Sequence, residues 1–158
     1  MKIAVMSDSH GNFRVLDKIF SSYHADYYIH LGDGERELDR IAESYPDKQI
    51  IHVKGNCDFA SFSPDDIFFE GTPDCRIFAV HGHKLNVKYS LETLKKKARQ
   101  LGAKIALYGH THERFCSYED GLYILNPGSC SCPRDGNKPS FAMIDISDAG
   151  VLINIIDL

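Results

Sequence analysis

Five times along this chain a short apolar run stops and a cluster rich in aspartate, histidine, asparagine and glycine begins at once. Lys2–Met6 leads to Asp8-Ser9-His10 and Tyr27–Leu31 to Gly32-Asp33. Gln49–Val53 leads to Gly55-Asn56-Cys57-Asp58, Arg76–Val80 to His81-Gly82-His83, and Ala103–Tyr108 to Gly109-His110-Thr111-His112. Runs of this length read as buried strands. Ligands in open α/β sheets bind outside the carboxyl ends of the strands, so clusters far apart in sequence are expected to meet at one edge.

The segments between the runs supply helices and hairpins. Asn12 caps a helix to about Ser22 that carries Phe13, Leu16, Ile19 and Phe20 on one face. Leu38, Ile41, Ala42 and Tyr45 form the stripe of a second helix, closed by Pro46. Ser90–Leu101 reads as a third, capped by Ser90 and ended by Gly102. Asp66–Glu70 and Arg76–Val80 pair across Gly71-Thr72-Pro73-Asp74, and Arg114–Tyr118 pairs with Leu122–Leu125. Phe141–Ile146 pairs with Val151–Ile156. The first half reads as βαβ units and the last third as hairpins, which two sheets packed face to face with helices outside accommodate. The 158 residues fit one domain, 1–158, with no internal repeat or linker.

Aspartate, histidine and asparagine are oxygen and nitrogen donors suited to Mn2+, Fe2+, Zn2+ or Ni2+. Asp-x-His and His-x-His put two side chains on the same side of an extended segment. A carboxylate can bridge two metals, and Asp33 is the natural bridge. Each motif alone is weak, but the ordered set after strand ends is specific.

The order Asp-x-His, Gly-Asp, Gly-Asn-x-Asp, His-Gly-His, Gly-His-x-His resembles that of the calcineurin-like metallophosphoesterases. Asn126-Pro127-Gly128-Ser129 followed by Arg134 resembles the late loop of their small YfcE-like phosphodiesterase branch. The resemblance spans essentially the whole chain and implies an α/β fold, a four-layer α/β/β/α sandwich of two mixed sheets flanked by helices. It implies one metal on Asp8, His10, Asp33 and His112 and a second on Asp33, Asn56, His81 and His110. Mn2+ is placed first, with Ni2+, Fe2+ or Zn2+ as alternatives. The implied reaction is phosphodiester hydrolysis by a water that two metals activate to hydroxide. The catalytic set is then Asp33, Asn56, His83 and Arg134, and the partner a small phosphodiester.

Several positions carry rival readings. His83 either orients His81, touches phosphate or is structural. Arg134 suits phosphate oxygens or is a plain surface residue. Asp58 is expected to support the loop that presents Asn56. His24, His30 and His52 read as surface or supporting residues. Cys130-Ser131-Cys132 lacks the second pair of a thiolate zinc site, and Lys95-Lys96-Lys97 reads as a solvated face rather than a phosphate patch. Cys57 stands where many phosphomonoesterases and nucleases of the superfamily carry a histidine acid, which leaves the leaving-group proton without an obvious donor.

Net charge of −4 argues against nucleic acid or an anionic membrane as partner. No apolar run approaches the roughly 20 residues of a membrane span, and no secretory leader is recognisable. Five scattered cysteines read as reduced cytoplasmic thiols. A homo-oligomer is left open. Rival functions are a phosphomonoesterase, a nuclease, or a non-catalytic scaffold like the retromer subunit that shares this fold with part of the metal pattern lost.

Overall fold

The computed structural model describes residues 1–158. Its strands are β1 (Lys2–Met6), β2 (Tyr27–His30), β3 (Ile50–His52), β4 (Asp66–Thr72), β5 (Cys75–Val80), β6 (Ile105–Leu107), β7 (Arg114–Glu119), β8 (Leu122–Pro127), β9 (Ser140–Ser147) and β10 (Gly150–Asp157). Its helices are α1 (Phe13–Ser22), α2 (Glu35–Ser44) and α3 (Glu92–Gln100), with one 3-10 turn over His83–Leu85. None is long and apolar enough to cross a membrane.

The strands form two mixed sheets, ordered β10-β9-β1-β2-β3 and β4-β5-β6-β8-β7. In the first, β1, β2 and β3 run parallel and β9 and β10 are antiparallel additions. In the second, β5, β6 and β8 run parallel, with β4 and β7 antiparallel at the edges. The five strands that precede the polar clusters are thus the parallel strands of the two sheets, apart from β8, whose own exit is the Asn126–Ser129 loop.

Strand parity explains why these runs are apolar throughout. Ile3 and Val5 of β1 enter the core between the sheets, together with Ile29, Ile77, Ala79, Ile105, Leu107 and Ile144. Ala4 and Met6, one residue out of phase, pack under α1 and α2 against Leu16, Ile19, Phe20, Leu38 and Ile41. Phe78 and Val80 of β5 pack under α3 against Leu94 and Ala98. Sheets covered on both faces need strands that are apolar on both faces. The layers are therefore α1 and α2, first sheet, second sheet, α3, as the motif order implied.

Boundaries shift where side chains compete with periodicity. Asn12 caps α1 as expected, its Oδ1 accepting from Val15 N at 3.3 Å. The third helix begins at Glu92 rather than Ser90, whose Oγ accepts from Glu92 N from just outside. The expected four-residue turn at Gly71–Asp74 tightens, because a bulge between Glu70 and Thr72 carries β4 through Gly71. The 3-10 turn after Gly82 was not anticipated.

Ile144 is fully buried between the sheets. Ile144→Ala should lower the urea unfolding free energy by about 2–5 kcal/mol. Leu152→Ala, at a position 60% exposed, should stay within about 0.5 kcal/mol.

Candidate metal centre

All seven expected metal ligands converge at the shared end of the parallel strands. One group of donors is compact. His112 Nε2 lies 3.2 Å from Asp8 Oδ1 and 3.2 Å from His10 Nε2, and His10 Nε2 lies 3.9 Å from Asp33 Oδ2. The neighbouring group centres on His81 Nε2, which lies 3.5 Å from Asp33 Oδ2, 3.1 Å from Asn56 Oδ1 and 3.2 Å from His110 Nδ1. Asp33 Oδ2 faces both groups.

The backbone that delivers these donors is unusual. Asp8, His10, Asp33, His110 and His112 all have positive φ, between 44° and 67°. The left-handed region is sparsely used by residues other than glycine, and such strain collects at functional sites. This corrects the expectation of extended Asp-x-His and His-x-His segments. The pairs Asp8/His10 and His110/His112 sit in left-handed turns, and His81-Gly82-His83 turns at Gly82, which simple strand alternation does not do. Gly55 serves the same end, since a Cβ there would overlap Asp33 Oδ1.

The donors are turned toward a common space and held there. His81 Nδ1 lies 2.7 Å from Leu31 O, and His112 Nδ1 2.7 Å from Cys132 O. Each carbonyl can only accept, so each ring carries its hydrogen on Nδ1 and presents an Nε2 lone pair inward. Asp8 is fully buried, and its Oδ1 has no hydrogen-bond partner. Hence the 3.2 Å gap to His112 sets lone pair against lone pair unless a proton or a cation lies between. Burial disfavours a charged His112, yet the Asp8 carboxylate outweighs it and raises the imidazole's pKa. Burial likewise works against the Asp8 carboxylate, but the imidazoles of His112 and His81 beside it and the hydrogen bond from Ser7 to Oδ2 bring its pKa down to about 2. Oxygen and nitrogen donors about 2.0–2.2 Å from a divalent ion would stand at separations close to those observed. Asp8–His10–His112, His10–Asp33–Cys57 and Asp8–Asp33–His81 each have donor atoms within 4.8 Å of one another.

Asp58 ties the loops together. Its Oδ2 accepts from Asp33 N and Gly55 N, both at 2.8 Å, and its Oδ1 from Gly34 N at 2.9 Å and Glu35 N at 3.0 Å. Burial pushes its pKa up, but the four backbone donors outweigh that and lower it. The same carboxylate caps the first turn of α2. Ser129 does similar work on the other side, its Oγ donating to Asp8 O and accepting from Ser131 N and Cys132 N.

The remaining expected residues divide. His83 is half-buried, with its ring centroid 5.3 Å from that of His81 and its Nδ1 unpaired. Arg134 is exposed, but its backbone N donates to His112 O at 3.0 Å, which holds it beside the centre. Cys57 lies at the mouth, and burial followed by the Asp33 carboxylate pushes its thiol up to about 11. Cys130 is fully buried and Cys132 exposed, and all five cysteines are free. Lys95 pairs with Glu92 and Glu119, and Lys97 with Asp66, so most of the lysine run is already neutralised. His24 is exposed.

Sequence reasoning underrated a buried relay behind the Asp8 and Asp33 loops. Gly32 N donates to His30 Nδ1 at 3.2 Å, which places the ring hydrogen on Nε2, 3.0 Å from Ser9 Oγ. Ser9 Oγ in turn donates to Glu37 Oε1 at 2.6 Å, and Gly11 N donates to the same oxygen. Glu37 reads in the sequence as one more polar helix residue. Its burial within α2 is a tertiary outcome.

The family model for the calcineurin-like phosphoesterase superfamily domain matches residues 1–149. The chain belongs to that superfamily. It is 32% identical to the probable metallophosphoesterase YsnB of Bacillus subtilis over 160 residues, 99% of this chain and 91% of that one. It is 28% identical to the phosphodiesterase YfcE of Escherichia coli K12, covering 92% of this chain and 88% of that one. The structure of a predicted phosphoesterase from Streptococcus pneumoniae TIGR4 superposes with TM-score 0.87 at 31% identity, over 99% of this chain and 88% of that one. Wild-type Vps29 of Entamoeba histolytica, solved with Zn2+, shares the fold at TM-score 0.76 and 23% identity, over 99% of each chain.

His30 makes the metal-free protein acid-sensitive. Burial, followed by the charge of His52, lowers its pKa to about 3, against 6.5 for the free side chain. Between those values the unfolded chain binds a proton that the folded chain does not. The stabilisation is therefore complete above about pH 6.5 and is lost as pH falls toward 3, by at most about 1.4 kcal/mol per pH unit. Burial also lowers the pKa of His110, to about 4, and of His52 and His83, so urea unfolding of metal-free protein should show a slope of this sign summed over these imidazoles between about pH 6 and 4, and His30→Gln should remove its share. An unchanged slope would contradict the assignment.

Proposed function

We propose that the chain is a phosphodiesterase that works with two divalent cations. The observation that carries this reading is Asp33 Oδ2, which faces His10 on one side and His81 on the other. Asp8, His10, Asp33 and His112 would hold one ion, and Asp33, Asn56, His81 and His110 the other. Mn2+ fits this mix of oxygen and imidazole donors, as do Fe2+, Ni2+ and Zn2+. When bound, such ions supply a water of lowered pKa as nucleophile and positive charge for the phosphoryl oxygens.

The chain's own residues orient these parts. Asn56 Nδ2 donates to Cys57 Sγ at 3.2 Å, which turns its Oδ1 toward His81. Cys57 N donates to Asp33 Oδ1 at 2.7 Å, leaving Oδ2 free to bridge. His83 stands beside His81 and His110, and Arg134 is anchored beside His112. Arg134 adds positive charge to the non-bridging oxygens, and His83 is the nearest imidazole left over to move a proton to the leaving group.

Diesters are favoured over monoesters on electrostatic grounds. The cleft beside the centre is bordered by Glu35, Glu37 and Asp58, against one guanidinium, that of Arg36. A diester brings one negative charge against these carboxylates, whereas a monoester dianion brings two. The relative named phosphodiesterase, YfcE, supports the same class. The likeness to Vps29, at 23% identity, bears on the fold alone. Free cysteines throughout accord with a reducing, cytoplasmic setting.

With Mn2+ supplied, bis(p-nitrophenyl) phosphate should be hydrolysed at least about tenfold faster, by kcat/KM, than p-nitrophenyl phosphate, a difference of about 1.4 kcal/mol in the barrier. Equal or reversed rates would favour a phosphomonoesterase.

A further inference from the structure

The metal centre opens on one side into a cleft of about 370 Å³ whose lining runs from His10, Asp33 and Cys57 out to Arg36 and Phe59. That is near the lower end of the roughly 300–1,000 Å³ of small-molecule sites, and too roomy for a phosphate group alone. Much of its polar lining is already engaged. Asp58 accepts four backbone N–H groups, Glu37 accepts from Ser9 and Gly11, and Glu35 Oε1 accepts from Ser61 Oγ at 2.7 Å and Ser63 Oγ at 2.8 Å. Beyond the ligand loops, the groups left to meet a substrate are the exposed guanidinium of Arg36 and the ring of Phe59.

Phe59 is 86% exposed. Phe62, three residues on, is more exposed still, but of the two only Phe59 lines the cleft beside the ligand loops. It does not hang from a slack loop. Phe59 N donates to Cys57 O at 3.0 Å, Lys54 N to Pro64 O at 2.8 Å, and the two serines fasten the loop to Glu35. Ala60, next in the chain, has φ of +61°, a left-handed turn for a residue with a Cβ. The loop that begins with the ligand Asn56 thus holds an aromatic ring at the rim of the same cleft.

We propose that Phe59 is a specificity residue for a diester one of whose arms is a nucleoside, with the base packed on the Phe59 ring and Arg36 at its polar edge. This rests on the phosphodiesterase reading for the position of the phosphate. Stacking suits the chemistry here, because every base presents a π-face and a single ring is a sequence-tolerant platform. A nucleoside arm is uncharged, so it can lie against a carboxylate-bordered wall that would repel a second phosphate.

Binding to Mn2+-loaded protein, followed by calorimetry or ligand NMR, separates the arm from the chemistry. The probes are thymidine 5′-methylphosphate, glycerol 3-methylphosphate and dimethyl phosphate, which share a singly charged diester and differ in one arm. Wild type should bind the thymidine diester about 5- to 10-fold more tightly than dimethyl phosphate, the lower part of the range for one stacked base. Phe59→Ala should bring that ratio to about 1, and Phe59→Trp should keep or raise it. Manganese content of each variant, by elemental analysis, shows whether the centre is intact. A ratio unchanged in Phe59→Ala, or a glycerol diester bound as tightly as the thymidine diester, would overturn the proposal. Because the readout is binding, it stands even if none of the diesters is turned over, a result that would count against the phosphodiesterase reading alone.

Discussion

Two buried carboxylates, Asp8 and Asp33, face the imidazoles of His10, His81 and His112 at 3.2–3.9 Å, and His110 stands beside His81. The costly point is Asp8 Oδ1, a buried acceptor without a hydrogen-bond partner that faces the Nε2 lone pair of His112, since such an atom loses its hydration at a penalty of about 1–3 kcal/mol and more when it is charged. A cation between the donors would turn that repulsion into bonds. The rest of the molecule can be read as the framework that holds the donors there against their own repulsion.

The framework works at two scales. Face-to-face packing of two sheets directs the parallel strands so that their carboxyl ends open on one edge. Beyond those ends the chain leaves regular structure and turns through left-handed residues at five ligands. Such turns persist only where surrounding contacts over-determine them. Asp58, Ser129 and the His30–Ser9–Glu37 relay supply those contacts, each with buried hydrogen bonds to the ligand loops. This arrangement puts the strain where precise donor placement matters and leaves the sheets unstrained.

The layers, and the gathering of oxygen and nitrogen donors at the strand ends, were legible in the sequence for a physical reason, whereas the division of those donors between two ions came from the family resemblance. Strands buried on both faces read as unbroken apolar runs, and metal donors are chemically distinctive at their ends. Conformation was not legible. Nothing in Asp8-Ser9-His10 announces left-handed backbone, since the residues are not glycine and the turn is imposed by partners such as Gly32 O and Asp33 O, which accept from Asp8 N and His10 N. Glu37 and His30 were hidden for a related reason. Their burial depends on α2 packing over β1 and β2, which no local pattern encodes. Arg134 had only its type and its loop to recommend it, and its anchorage to His112 is a long-range contact. Phe59 falls in an irregular loop, where exposure cannot be read from periodicity.

The central claim is that two cations share Asp33. Crystals of Mn2+-loaded protein, with anomalous diffraction recorded above the manganese edge, test it directly. The account predicts two peaks on either side of Asp33 Oδ2, one among Asp8, His10 and His112 and the other among Asn56, His81 and His110, with the second lost in His110→Ala. A single peak, or density away from these donors at saturating metal, would contradict it.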